Sequence, residues 1–425
     1  MIRQCVSHKY GVGSVRNRVK KKPMTERLEK TRILIYSHDS FGLGHLRRCR
    51  AIAHSLVARY KGVSILILSG SPIIGSFDFK ARVDFVRIPG VIKLKDGEYT
   101  SLGLHIDLEQ TMNMRESIIY HTAVSFNPDI FIVDKEPTGL KGEVISTLKM
   151  LKEKGAINVL GLRDVMDEAT KLKLEWERKQ VPPVLENLYH DIWVYGLSEM
   201  GNPLDALGLS KSITDKITFT GYLDREIPND RNWVAPTNLD DPYLLITTGG
   251  GGDGVEMVDW VIRAYESDSE QPLRAVILTG PFMPASSQQE FHERCESLPN
   301  VEILTFDSHI ELLMRRAAGI VAMGGYNTFC EILSLDKPAL IIPRSVPRRE
   351  QLIRAERAVK LGLVSMLDPD SDRPAAEMAK ALVNLPRQSP PSSHKIDGLL
   401  DGHESVADIV RQYLEPSQSN DSITA

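Results

Sequence analysis

Cysteine is scarce in this chain: Cys5, Cys49, Cys295 and Cys330 are four among 425 residues, and none stands in a C-x-x-C pair. Such a pattern gives neither a disulfide framework nor a zinc-ligand spacing, and a reducing compartment is expected. Long hydrophobic runs are missing as well. No apolar stretch approaches the ~18–20 residues that cross a bilayer, and the N-terminus has no apolar signal core, so the chain is expected in the cytoplasm. An excess of one charge is the third absence. The 52 Lys and Arg residues balance 56 Asp and Glu, and a net charge of -4 gives no global attraction to nucleic acid. Otherwise the composition is that of a folded protein, with 42% hydrophobic and 25% charged residues. At ~100–200 residues per domain the length allows two or three domains.

Residues 1–30 are locally basic. Ten Lys or Arg residues occur up to and including Arg32, Lys20-Lys21-Lys22 among them, against Glu26 and Glu29 alone. Two readings stand for this segment. It is a solvated, flexible extension with Met24 as an alternative start, which is the favoured reading because short charge runs are common. Alternatively, it is a polybasic segment attracted to anionic lipid at the inner face of a membrane.

Short β-rich apolar runs alternate with helical patterns, the mark of parallel sheets built from βα units. In residues 31–222 six strands are expected, at 32–37, 64–69, 84–88, 130–134, 158–162 and 191–196. A second series follows in residues 242–385, at 243–248, 275–279, 301–305, 319–323 and 339–343. Between them, 223–241 is rich in Pro, Asn and Asp and reads as a linker. Residues 386–425 form a Pro/Ser connector, an amphipathic helix with Val406, Ile409, Val410, Tyr413 and Leu414 on its apolar stripe, and a polar tail. Folding back onto the first domain is one way to bury that stripe.

The first strand runs into Ser37-His38-Asp39-Ser40-Phe41-Gly42-Leu43-Gly44-His45 and then a helix, a context suited to phosphate because free amides and the helix dipole converge there. A nicotinamide site is excluded: Arg47 stands where a third Gly is needed, and the second strand ends at Leu68-Ser69-Gly70 without an acid. No G-K-[ST] follows, so this is not a P-loop. His45 falls at the loop-to-helix junction, where the dipole favours a neutral imidazole that can serve as a base; a capping or packing histidine is the plainer alternative. Asp134 and Glu136, in Asp134-Lys135-Glu136, and Asp164, in Arg163-Asp164, end strands at the same sheet edge. One of these carboxylates is expected to orient His45 or to be the base itself, unless all three cap turns.

The second domain repeats the arrangement. Thr247-Thr248 leads into Gly249-Gly250-Gly251-Gly252-Asp253-Gly254, which lets a backbone approach a ligand closely. An inward Asp253 would repel a diphosphate. Further on come Gly324-Gly325-Tyr326-Asn327-Thr328-Phe329-Cys330-Glu331 and, after a strand, Arg344, Arg348, Arg349 and Gln351. Thr328-x-x-Glu331 fits a capping box, whereas a carboxylate at Glu331 and an amide at Gln351, at the sheet's carboxyl edge, suit ribose and sugar hydroxyls. None of the expected strands ends in an Asp-x-Asp motif or a His/Cys cluster, and no metal is expected.

The segment from Gly324 to Gln351, with Phe306-Asp307 and the four-glycine loop before it, resembles the C-terminal donor-binding domain of family 28 glycosyltransferases, the lipid II-forming N-acetylglucosaminyltransferases among them. It also resembles predicted bacterial glycosyltransferases with a G-G-Y-N-T segment. The Gly42-x-Gly44-His45 loop is similar to that family's N-terminal glycine loop and to the G-x-G-H-x-x-R segment of UDP-sugar hydrolases. The likeness is sparse over 31–195 and dense over 243–366. It implies an α/β GT-B fold, with two Rossmann-like parallel-sheet domains facing a central cleft, a UDP-sugar on the second domain and a sugar or lipid-linked acceptor on the first. It further implies that Gly249, Gly250, Gly251 and Gly252 line the diphosphate, with Gly324, Gly325, Asn327, Thr328 and Arg348 also on the donor side. Phe306 would border the base, Glu331 the ribose and Gln351 the sugar. Gly42 and Gly44 would shape the first-domain loop, His45 would face the reacting centre, and no cofactor or bound metal would be needed. Tyr326-Asn327 departs from the small residues of the lipid II enzymes, as does Asp253. A hydrolase or epimerase on the same fold, or a sugar-nucleotide sensor without turnover, are the alternatives.

Overall fold

A computed structural model describes residues 30–38, 44–93, 99–227, 233–267, 270, 272–307 and 309–415. The basic extension, Gly42 and the polar tail lie outside the described residues.

Both expected sheets are present. The first domain holds β1 (Arg32–Ser37), β2 (Ser64–Ser69), β3 (Val83–Arg87), the hairpin β4 (Val91–Lys93) and β5 (Tyr99–Ser101), β6 (Ile130–Asp134), β7 (Ile157–Arg163), β8 (Asp191–Tyr195) and β9 (Ile217–Phe219). Seven of these pair in the order β3-β2-β1-β6-β7-β8-β9, with every neighbour parallel. The second domain holds β10 (Tyr243–Thr247), β11 (Arg274–Leu278), β12 (Val301–Leu304), β13 (Gly319–Ala322), β14 (Ala339–Ile341) and β15 (Ser365–Met366), in the parallel order β12-β11-β10-β13-β14-β15. Each sheet carries one strand more than expected. The two extra strands, β9 and β15, are edge strands of three and two residues, too short to show a period.

Central strands such as RILIYS, IFIVD and YLLIT are apolar on both faces because helices cover both sides of a parallel sheet. The stretch Val91–Met114 holds the β4–β5 hairpin and the start of the Leu108–Phe126 helix, whose N-cap Asp107 accepts from Gln110 N–H. The last helix, Gly402–Leu414, folds back onto the first domain. Tyr60 Oη donates to Ala407 O at 2.7 Å, and Tyr413 Oη to Asp191 Oδ2 at 2.5 Å.

In each sheet the strand order reverses between the first strand and the one that follows the outer pair: β1 beside β6, and β10 beside β13. Loops leaving two such strands diverge to opposite faces and open a crevice at their carboxyl ends, where open α/β sheets take ligands. His45 follows β1 and Asp134 ends β6. The Gly249–Gly252 loop follows β10 and Gly324-Gly325 follows β13. His45, Asp134 and the two glycine turns of the second domain therefore lie at the two switch points.

Candidate active site between the two sheets

His45 sits in the first turn of the Gly44–Arg59 helix, and its Nδ1 lies 2.5 Å from Asp134 Oδ2. Arg48, one turn further on, grips the same carboxylate, Nε to Oδ1 at 2.8 Å and Nη2 to Oδ2 at 2.8 Å. Asp134 is 2% exposed, and burial alone would raise its pKa; Arg48 and His45 more than offset that and hold it well below the usual carboxylate range. An ionised Asp134 can only accept, so the His45 proton belongs on Nδ1 and Nε2 keeps a free lone pair. Burial lowers the proton affinity of His45, and the pull of Asp134 only partly reverses this, so the ring is neutral at neutral pH. Its side chain remains 18% exposed. His38, at the end of β1, packs edge-on at 5.8 Å between ring centroids. Such an arrangement can offer Nε2 as a proton acceptor.

Asp164 and Glu136 do not join that pair. Asp164, fully buried, accepts from Arg354 Nε and Nη2 at 2.7 and 2.6 Å, from Tyr222 Oη at 2.8 Å and from the N–H of Val165 at 2.8 Å. Its lone pairs are occupied by a tie to the second domain. Glu136 is paired with Lys179 at 2.9 Å.

On the second domain, the Tyr326–Ser334 helix starts at an N-cap of Gly325. Thr328 is thus inside the helix and the Thr328-x-x-Glu331 capping box is not formed; the positive-φ turn at Gly324 starts the helix earlier than the motif suggested. Glu331 is 2% exposed and faces Arg47 of the first domain at 2.9 Å, and Arg47 also pairs with Glu311. Burial, with Glu311 adding to it, raises the Glu331 pKa against the pull of Arg47 and Arg225. Asn327 donates to Gly44 O at 3.2 Å and accepts from Arg225 at 2.7 Å, so the glycine motifs of the two domains touch. Gln351 receives the N–H of Arg344 at 3.1 Å, Phe306 is 61% exposed, and Arg348 stands 3.7 Å from Asp167.

The four-glycine loop is partly a packing device. A Cβ on Gly251, whose φ is 93°, would lie 2.4 Å from Thr279 O, whereas Gly249 and Gly252 face open space. Asp253 is paired with Arg344, which itself bonds Glu350 at 2.5 Å, so its charge is neutralised at the rim.

Tyr326, singled out only as a departure, is the centre of the contact. It is 3% exposed, its hydroxyl donates to Tyr195 O at 3.0 Å, and its ring lies between the guanidinium groups of Arg48 and Arg354, 5.4 and 5.7 Å from their carbons. Asp134, Arg48, Tyr326, Arg354 and Asp164 thus form one buried stack across the domains. The two ion pairs in this stack join residues 86 and 190 positions apart, so the pairing itself has no local signal.

Residues 244–397 match the model of the glycosyltransferase family 28 C-terminal domain. The second domain of this chain is thus similar to that family domain. A curated relative from Limosilactobacillus reuteri, UDP-N-acetylglucosamine--N-acetylmuramyl-(pentapeptide) pyrophosphoryl-undecaprenol N-acetylglucosamine transferase, is 23% identical over 163 residues. That match covers 37% of this chain and 44% of the relative, so the chain spans less than half the length of the curated relative it matches. Solved structures align over the whole fold. MurG of Acinetobacter baumannii gives a TM-score of 0.58 at 10% identity, covering 90% of this chain and 99% of that one. Phytolacca americana UGT2, complexed with UDP-2fluoro-glucose and pterostilbene, gives 0.61 at 13%, covering 91% and 100%. The calicheamicin glycosyltransferase CalG4 gives 0.57 at 18%, covering 92% and 100%. The fold is GT-B, as the resemblance implied, and the match to the family 28 model falls where that resemblance was dense.

Proposed function

We propose that this protein is a glycosyltransferase that moves a hexose-type sugar, of the N-acetylhexosamine class, from a UDP-sugar to an acceptor hydroxyl with inversion and without a bound metal. The observation that carries the reading is the His45–Asp134 pair at the first sheet's switch point, facing a family 28 domain across the cleft. In this reading the acceptor oxygen gives its proton to His45 Nε2, Asp134 and Arg48 hold the ring, and the oxygen attacks the anomeric carbon as its bond to the diphosphate breaks. Glu331 takes the ribose, Gln351 the sugar and the open glycines the diphosphate. The curated relative's name supplies the precedent for a UDP-N-acetylglucosamine donor and a lipid-linked acceptor, and it supports a role in cell-surface polysaccharide or glycolipid synthesis at the inner face of a membrane. Among the described residues no helix is long and apolar enough to cross a membrane, so contact there would be peripheral.

A nucleotide panel tests the donor class, since a ligand at ~100 times its dissociation constant adds ~2.7 kcal/mol to the folded state. Uridine diphosphate should raise the melting temperature with or without EDTA, and UDP-sugar should be consumed only when an acceptor is added. Loss of turnover in EDTA, restored by magnesium or manganese, would overturn the metal-independent mechanism. Release of free sugar without acceptor would assign hydrolysis instead.

A further inference from the structure

Two cations at the first sheet's carboxyl edge have no task in the reaction just described. Lys135 follows the last residue of β6 with a left-handed backbone, φ 68°, a conformation uncommon for a residue with a side chain. Its N–H bonds Gly161 O at 2.8 Å, which sets it beside β7 two residues before Arg163. Arg163 closes β7. Its Nε is buried without a hydrogen-bond partner, and among the described residues no carboxylate lies within ion-pair distance of its guanidinium. Among the described residues, Glu136 is the one carboxylate within ion-pair distance of Lys135 Nζ, at 3.9 Å.

The carboxylates around them are taken. Glu136 bonds Lys179 at 2.9 Å, Glu350 bonds Arg344 at 2.5 Å, Asp164 bonds Arg354 at 2.6 Å and Asp134 bonds Arg48 at 2.8 Å. From the second domain, Arg348 reaches the same edge but stands 3.7 Å from Asp167 and 3.8 Å from Glu175, beyond hydrogen-bond distance. The crowding is felt electrostatically: burial first, then Arg163 and Arg348, brings the Lys135 ammonium down to about 8, and burial with Arg48 and Arg354 brings Arg163 down to about 10. Arg163 as a whole is half-buried, but a buried guanidinium nitrogen without a partner is costly and calls for an explanation. Its fork matches the oxygens of a phosphate.

We propose that Lys135, Arg163 and Arg348 form a subsite for a phosphate-bearing group of a substrate, beside the His45–Asp134 pair. The transferase reading enters only in naming the source of that group, which is the donor's diphosphate or a phosphate on the acceptor.

Calorimetry on the full chain with inorganic pyrophosphate, uridine diphosphate and uridine tests it. Arg163→Gln should weaken pyrophosphate binding by ~10- to 150-fold, the worth of a charged hydrogen bond, and Arg163→Lys should weaken it less. Lys135→Gln carries the same expectation should Arg163→Gln fold poorly. Equal loss for uridine diphosphate, with uridine unaffected, assigns the subsite to the donor. Unchanged uridine diphosphate affinity, with pyrophosphate still binding the nucleotide-saturated protein, assigns it to the acceptor. Parent protein that binds pyrophosphate but no uridine nucleotide would sink the donor reading and leave the subsite standing. The subsite is overturned if the parent does not bind pyrophosphate, or if Arg163→Gln and Lys135→Gln bind it as the parent does.

Discussion

At the scale of single residues, the division of labour is between a base and what holds it. His45→Asn keeps a polar group of similar reach but cannot take a proton near neutral pH, so turnover should fall by ~100- to 10,000-fold while nucleotide affinity stays within a few-fold. Steady-state kinetics beside a binding isotherm measures both, and loss of nucleotide binding instead would make His45 part of the loop's architecture. Glu331 offers a sharper contest because it already faces Arg47. Glu331→Ala should weaken uridine diphosphate by ~10- to 150-fold if the carboxylate holds the ribose. A lowered melting temperature with unchanged affinity would confine it to the domain contact.

Among the elements, the final helix and the strand ends are the most informative. His403, on the Gly402–Leu414 helix, is brought down to about 4 by burial and nearby Arg225, and its Nε2 lies 3.0 Å from Asp224 O. A histidine whose folded pKa lies below the unfolded ~6.5 binds fewer protons when folded. Its neutral form therefore costs nothing above ~6.5, and stability drains as pH falls from there towards 4. The melting temperature should decline over that window, and His403→Gln, which can still bond Asp224 O, should flatten the decline; an unchanged slope would place the titration elsewhere. Much of this layer was legible in the sequence. Strands such as YLLIT and IFIVD announced themselves because apolarity on both faces is a local property, and the glycine turns did so because φ is local too. The capping box at Thr328 misled because the positive φ of Gly324 sets where the helix begins. Asp164 looked free because Arg354, which occupies it, is 190 positions away. Arg48 closes the G-x-G-H-x-x-R pattern, but its grip on Asp134 was not legible because that carboxylate lies 86 positions on.

For the molecule as a whole, the two domains are bolted through charges that water does not reach. Asp164→Ala would leave Arg354, 1% exposed, without its counter-charge, at an expected cost of ~3–5 kcal/mol. Adding Arg354→Met should recover part of that loss. Denaturant unfolding of the two variants measures both quantities, and a loss below ~1 kcal/mol would show that the bolt carries no weight. The described residues start in the first domain, and after the second domain the Gly402–Leu414 helix packs on the first again, so the chain passes between the domains twice. The two passages meet. Tyr222 N–H bonds Leu399 O at 2.9 Å, Gly402 N–H bonds Tyr222 O at 3.1 Å, and a Cβ on Gly221 would lie 2.3 Å from Gly398 O. Two tethers fastened side by side leave the domains one easy degree of freedom. Any opening of the cleft that keeps this joint intact is a swing about it, like a door on a pin, and it has to part the Arg47–Glu331 and Asn327–Gly44 contacts on the far side of the cleft.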